Sequence, residues 1–151
     1  MRRILAIDPG LSGGLAYYGP AGIILDSMPA TDLDVSILVS DRLAISDVCY
    51  IEKVGGYVGG KGAPGSSMFN FGRNVGFLHG LIAASKTRVI EVPPQRWQKT
   101  IGAGVKASYG PKWKAHLKQL AQQRQPGILI TLKTADAVLL LEHAMLLEGV
   151  K

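Results

Sequence analysis

With a single cysteine, Cys49, this 151-residue chain cannot form an internal disulfide, which is compatible with a reducing compartment. Cys49 lies in an apolar run, where a small core residue is expected. Long apolar runs are missing too. Charge or glycine breaks every hydrophobic stretch before the roughly 20 residues that a membrane span requires, so no membrane partner is expected. The start, Met1-Arg2-Arg3 leading directly into a strand pattern, lacks the apolar segment and cleavage site of a secretory signal. A cytoplasmic location is expected. Charged residues are sparse at 19% against 47% hydrophobic, which excludes a disordered chain and fits one folded domain over 1–151.

Acids are the scarcest charge, and their distribution is uneven. After Glu91 the next is Asp136, and between them stand Arg96, Lys99, Lys106, Lys112, Lys114, Lys118, Arg124 and Lys133. With a net charge of +6, such a segment is either a solvated face or the footprint of a polyanion partner. Trp97, Tyr109 and Trp113 are interleaved with the lysines, and flat rings that can stack on bases favour nucleic acid.

The organising stretch is Ile4 to Gly14. Its apolar run ends in Asp8, and Pro9-Gly10 must stop the strand, because proline donates no ladder hydrogen bond and glycine tolerates the bend. Leu15–Tyr18 and Ile23–Leu25 continue an antiparallel meander. Asp32–Arg42 reads as a helix capped by Thr31 or Asp32, with Leu33, Ile37 and Leu38 at helical spacing. Val48–Ile51 is a further apolar strand, and it too ends in a carboxylate, Glu52. A strand returning after a helix pairs most simply parallel to the first, which would put Asp8 and Glu52 at neighbouring strand ends on one sheet edge.

Residues 53–66 are rich in glycine, with Lys53, Tyr57 and Lys61 among them. No Gly-Lys-Ser/Thr ending is present, so a Walker phosphate loop is not expected. Ser67–Ser85 reads as a helix. Met68, Phe71, Val75, Leu78 and Ile82 form its core stripe, and Gly72, Gly76 and Gly80 a small face that would let another element approach closely. A strand over Thr87–Val92, a short helix over Pro94–Ile101, a loop over Gly102–Gly110 and a basic helix over Pro111–Gln123 follow. Thr134–Leu147 is the last helix, with Asp136 in its first turn, where helix dipoles favour an anion.

Asp8, Glu52 and Asp136 brought together would be costly without a positive charge between them. A hard divalent cation, Mg²⁺ or Mn²⁺, is the natural occupant. Carboxylates of this kind beside a polyanion-binding surface read as a metal-dependent nuclease. An Asp-x-Gly hairpin also resembles the first phosphate loop of the actin and sugar-kinase superfamily, but that architecture needs two such domains and this chain has length for one.

Ile7-Asp8-Pro9-Gly10, Ile51-Glu52-Lys53-Val54 and Ala135-Asp136-Ala137, with the Pro94–Gly102 segment, resemble RuvC-type Holliday junction resolvases across the whole chain. Order, spacing and length are similar to a compact phage or prophage branch. The resemblance implies an α/β, RNase H-like fold with a mixed five-stranded sheet, an antiparallel meander followed by parallel strands, flanked by helices. It also implies a homodimer that nicks four-way DNA junctions symmetrically, leaving 5′-phosphate and 3′-hydroxyl ends, in a bacterial or phage-infected cell. Asp8, Glu52 and Asp136 match the family's metal-binding catalytic acids. Lys114 and Lys99 lie close to its functional lysines, Lys114 being assigned to catalysis. Lys53, Tyr57, Lys61, Arg96, Lys99, Lys106, Lys112, Lys114, Lys118 and Lys133 are the expected DNA contacts.

The sequence departs from the family twice. Lys133 stands where the family commonly has a fourth acid, and no aromatic residue closely follows Glu52, Tyr57 being the nearest. Glu142 falls on another face of the helix from Asp136. His143 shares the Asp136 face but sits about 10 Å along the axis, and is expected to be a core-edge or solvated residue rather than a ligand. A less specific branched-DNA or flap nuclease, or a junction-binding protein with impaired catalysis, remains the alternative.

Overall fold

The computed structural model describes residues 1–55 and 64–150. Five strands, β1 (Ile4–Asp8), β2 (Gly14–Gly19), β3 (Gly22–Ser27), β4 (Val48–Glu52) and β5 (Arg88–Val92), form one sheet in the order β3-β2-β1-β4-β5. The first three are an antiparallel meander, and β4 and β5 add parallel to β1, as expected. In the β1–β4 register Ile4 faces Val48 and Ile7 faces Ile51. Each strand then has one residue left, and these are Asp8 and Glu52. A shared register therefore brings two carboxylates to one edge.

β1 is central and covered on both faces, which is why it is a continuous apolar run rather than an alternating one. Side chains alternate across a strand, so Ile4 and Ala6 enter one core with Val48 and Tyr50, while Leu5 and Ile7 enter the other with Cys49 and Ile51. The first core lies under α3 (Pro94–Thr100), α5 (Trp113–Arg124) and α6 (Ala135–Leu147), and the second under α1 (Asp32–Ala44) and α2 (Gly65–Ser85). Cys49 is the core residue expected, and burial pushes its thiol up to about 12.

Every residue of α6 from Ala135 to Leu141 is buried. A helix apolar on all sides is a central one, and α6 lies across β1 and β2 between α3 and α5. Ala6 and Ala16 beneath it are small enough to let it come close. At its leading end, Gly14 touches the turn before α6. A Cβ on Gly14 would lie 2.7 Å from the Lys133 carbonyl oxygen and 2.8 Å from that of Asp26, so only glycine lets β2 meet the chain there. That contact seats the first turn of α6 beside the end of β1.

Three expectations need correction. In α1, Thr31 is the cap, its hydroxyl accepting from the Asp34 N–H at 3.2 Å, and Leu38 packs partly buried against the second core, but the buried stripe is Val35, Val39 and Leu43, while Leu33 and Ile37 are exposed. Both series have four-residue spacing, and the longer one faces the sheet. In α2, a Cβ added at Gly72, Gly76 or Gly80 would meet no atom beyond the helix's own backbone within 4 Å among the described residues, so their face is open there rather than closely packed. The basic loop and helix are also more finely divided: a short α4 (Lys106–Tyr109) and a 3-10 turn over Gly110–Lys112 precede α5.

Candidate active site

Asp8, Glu52 and Asp136 each present a carboxylate oxygen, and these atoms lie within 4.8 Å of one another. The strand register supplies the first two, and the placement of α6 supplies the third. Lys114, at the start of α5, donates through Nζ to Asp136 Oδ2. Trp97, fully buried on α3, donates from Nε1 to Glu52 Oε2 at 2.8 Å. Gly10 donates its N–H to Asn74 Oδ1 of α2 at 2.8 Å, tethering the turn after Asp8.

Burial is the largest influence on Asp8. With Asp136 and Glu52 adding like-charge repulsion, and Lys114 opposing them, its pKa is pushed up to about 8. Burial raises Glu52 as well, and the Trp97 hydrogen bond works against that rise. Burial alone would lower the Lys114 ammonium, but attraction to Asp136, then Asp8 and Glu52, outweighs it and raises the group. Asp136 Oδ1 is buried without a hydrogen-bond partner among the described residues. An oxygen left unsatisfied, in an all-carboxylate donor set this tight, fits a hard divalent cation.

The remaining expected residues divide. Lys53 lines a groove of about 500 Å³ with Glu52, Phe71, Pro94 and Gln95. Gln95 also lines the adjoining groove of about 670 Å³, which Lys99 and Lys106 border. These grooves extend from the acids along α3. Lys118 lies in a different groove with Gln122, Leu129 and Leu132. Arg96 and Lys112 are exposed, and Lys133 is an exposed residue just before Thr134. Tyr57 and Lys61 lie outside the described residues.

The expected ring surface is corrected. Trp97 and Trp113 are core residues, so neither can stack on a base. Tyr109 is partly exposed, but its ring stacks on His116 with centroids 3.8 Å apart. Phe71, read from the sequence only as core, borders both the Lys53 groove and the cleft of the acids. Sequence spacing from Glu52 could not find it, because α2 returns to the site after an intervening segment. Asn74 gave no signal in the sequence.

Glu142 pairs with Arg124, away from the acids as its helical position requires. His143 is 1% exposed, and neither ring nitrogen has a partner among the described residues. Burial first, then Arg96, lowers its pKa. The unfolded imidazole takes a proton near pH 6.5 whereas the folded one resists it, so His143 costs stability as pH falls through that range. Denaturant unfolding at pH 7.5 and 5.5 should therefore show His143→Leu gaining on wild type at the lower pH, by an amount approaching ~1 kcal/mol per pH unit.

No family model and no curated protein sequence matches the chain. Solved structures do. A Thermus thermophilus RuvC in complex with Holliday junction substrate aligns at a TM-score of 0.61 and 13% identity, over 99% of this chain and 96% of that one. A second Thermus thermophilus RuvC structure aligns at 0.56 and 13%, over 98% and 97%. The yeast mitochondrial Holliday junction resolvase Ydc2 aligns at 0.54 and 15%, over 95% and 78%. The chain has the RuvC, RNase H-like fold that its sequence suggests.

Proposed function

We propose that this chain is a metal-dependent endonuclease that resolves four-way DNA junctions by paired symmetric nicks. The observation that carries the reading is the convergence of Asp8, Glu52 and Asp136 within 4.8 Å, on a fold shared with a RuvC solved on a Holliday junction substrate. The basic grooves beside the acids support a DNA partner.

Asp8, Glu52 and Asp136 would hold the cation, Mg²⁺ with Mn²⁺ able to replace it. When bound, the ion supplies a Lewis acid for the phosphodiester and lowers the pKa of water. The chain's own groups do the rest. Trp97 fixes the orientation of Glu52 through its N–H, and Asn74 holds the turn that follows Asp8. Lys114 brings a positive charge to the same cleft, where it balances Asp136 before substrate arrives and can neutralise charge on the scissile phosphate. Lys53, Lys99 and Lys106 flank the path of the strand along α3. With Lys133 directed to solvent and Lys114 already beside Asp136, one cation is the occupancy this cleft best supports.

Two nicks at one junction require two sites, which a two-fold pair of chains supplies. The glycine face of α2, open among the described residues, leaves room for a second helix to approach, which supports pairing there. The test is cleavage of labelled four-way, flap and linear DNA with Mg²⁺, Mn²⁺ or EDTA. Paired cuts in the four-way junction, lost with EDTA, are expected. Equal cutting of flaps would replace the reading with a general branch nuclease, and tight binding without cutting would replace it with a junction-binding protein.

A further inference from the structure

Lys118 stands apart from the acids, at a groove of about 670 Å³ between α5 and the turn that precedes α6. One wall is a face of α5 that carries Lys118, Gln119 and Gln122 at helical spacing. The facing wall is a ridge of Leu129 and Leu132, which are 85% and 56% exposed. Leucines exposed singly are ordinary on a protein surface, but these two are held out together. Gln122 donates from Nε2 to the Ile128 carbonyl at 2.8 Å and to that of Gln125 at 3.2 Å. Its Oε1 accepts from the Ile130 N–H at 3.2 Å. Both ends of one amide therefore fasten the turn to α5. Ile130 is buried in the first core, and Leu129 beside it is left outside. The ridge is built, not a loop end that happens to be wet.

We infer that this groove binds a short segment of a partner protein in which acidic residues flank large apolar ones. The ridge offers apolar side chains a surface, and covering it removes two leucines from water. Gln119, exposed on the opposite wall, can donate to and accept from a peptide main chain. Charge sets the sign of the partner. From Val92 to Ala135 the sequence carries no acid, so every charged side chain that α5 and the turn bring to the groove is basic. Lys118 lines it, and Lys133, also exposed, directly follows Leu132. Acids at the ends of an apolar segment complement these lysines. A DNA backbone would suit Lys118 as well, but its phosphates have nothing to lay on a leucine ridge.

The experiment is to select a displayed library of random short peptides on the intact protein and to measure the affinity of the enriched peptides by fluorescence anisotropy. Binding is read without DNA or metal, so it stands or falls apart from the nuclease reading. Enriched peptides should combine Asp or Glu with Leu, Ile or Phe, and should bind more weakly as salt rises. Leu129→Asp should lower their affinity on the order of tenfold or more, the scale of losing an anchor at the centre of an interface. Lys118→Glu should lower it severalfold and reduce the salt dependence. Leu129 is exposed, so its replacement should leave Tm and four-way junction affinity at the wild-type values. No enrichment, enriched peptides without acids, or affinity unchanged in Leu129→Asp overturns the inference. A loss of junction binding by Leu129→Asp overturns it in favour of DNA. A change in that variant's sedimentation overturns it in favour of a second copy of the chain.

Discussion

Asp8→Asn and Glu52→Gln should each reduce four-way junction cutting by on the order of 10³-fold or more, the scale of losing a group that organises charge in a transition state. Neither should weaken DNA binding. Each removes a negative charge from a cleft that must admit phosphates, so affinity stays level or rises. The two substitutions differ in what they leave behind. Gln at position 52 retains a carbonyl oxygen that can accept from Trp97 Nε1, whose bond to Glu52 is 2.8 Å in the native protein. Asn at position 8 removes a carboxyl whose pKa is pushed up to about 8, and so should leave the metal-free protein at least as stable as wild type at neutral pH. Rates from labelled junctions, with affinity measured by gel shift in EDTA, separate the effects. Cutting at the wild-type rate by either variant would remove that acid from the catalytic set.

Metal dependence should appear in stability as well as in cutting, with a pH profile that identifies Asp8. In the metal-free protein the folded carboxyl keeps its proton to about pH 8, whereas the unfolded one releases it near 3.8. Between those values the folded state binds more protons, so stability falls as pH rises, by up to ~1.4 kcal/mol per pH unit. The raised pKa of Glu52 acts in the same direction. A divalent cation requires the ionised carboxylates, so its binding displaces protons and tightens with pH. Thermal melts at pH 5.5, 7 and 8 should therefore show Tm declining in EDTA. Mg²⁺ should restore it, and by the largest increment at pH 8. Asp8→Asn should flatten the EDTA profile and abolish most of the increment. The His143 component runs the opposite way, toward acid lability, so His143→Leu makes the Asp8 slope easier to read. An Mg²⁺ increment independent of pH would mean that the ion binds elsewhere.

How much of the fold and site is legible in the sequence depends on how local the cause is. Pro9-Gly10 ends β1 by backbone chemistry alone, and Val48–Ile51 shows a buried strand by composition, so the Asp8–Glu52 edge can be read from the residues themselves. Asp136 follows from the strongly apolar helix behind it. Trp97 misleads because α3 has seven residues, too few for periodicity to separate a buried face from a wet one. The rings among the lysines look like a stacking surface, but two of the three point into the core. The glycines of α2 show a small face without showing whether anything in the same chain covers it. The contacts Lys114–Asp136, Trp97–Glu52 and Asn74–Gly10 join positions 22, 45 and 64 residues apart. No spacing rule in one sequence links them, because they exist only once the helices have docked.

The seating of α6 against Gly14 has a consequence for the life of the chain as it is made. Asp8 and Glu52 are synthesised within roughly the first third, on strands that can already pair. Asp136 and its partner Lys114 arrive much later, and only when α6 lies down across β1 and β2 does the third carboxylate reach the other two. That helix also forms much of the core on its side of the sheet, so completing the fold and arming the site are one event. A nascent, truncated or partly unfolded copy would carry two of the acids without the third, and could meet DNA without cutting it. For an enzyme of this proposed activity, the topology works as a safety catch.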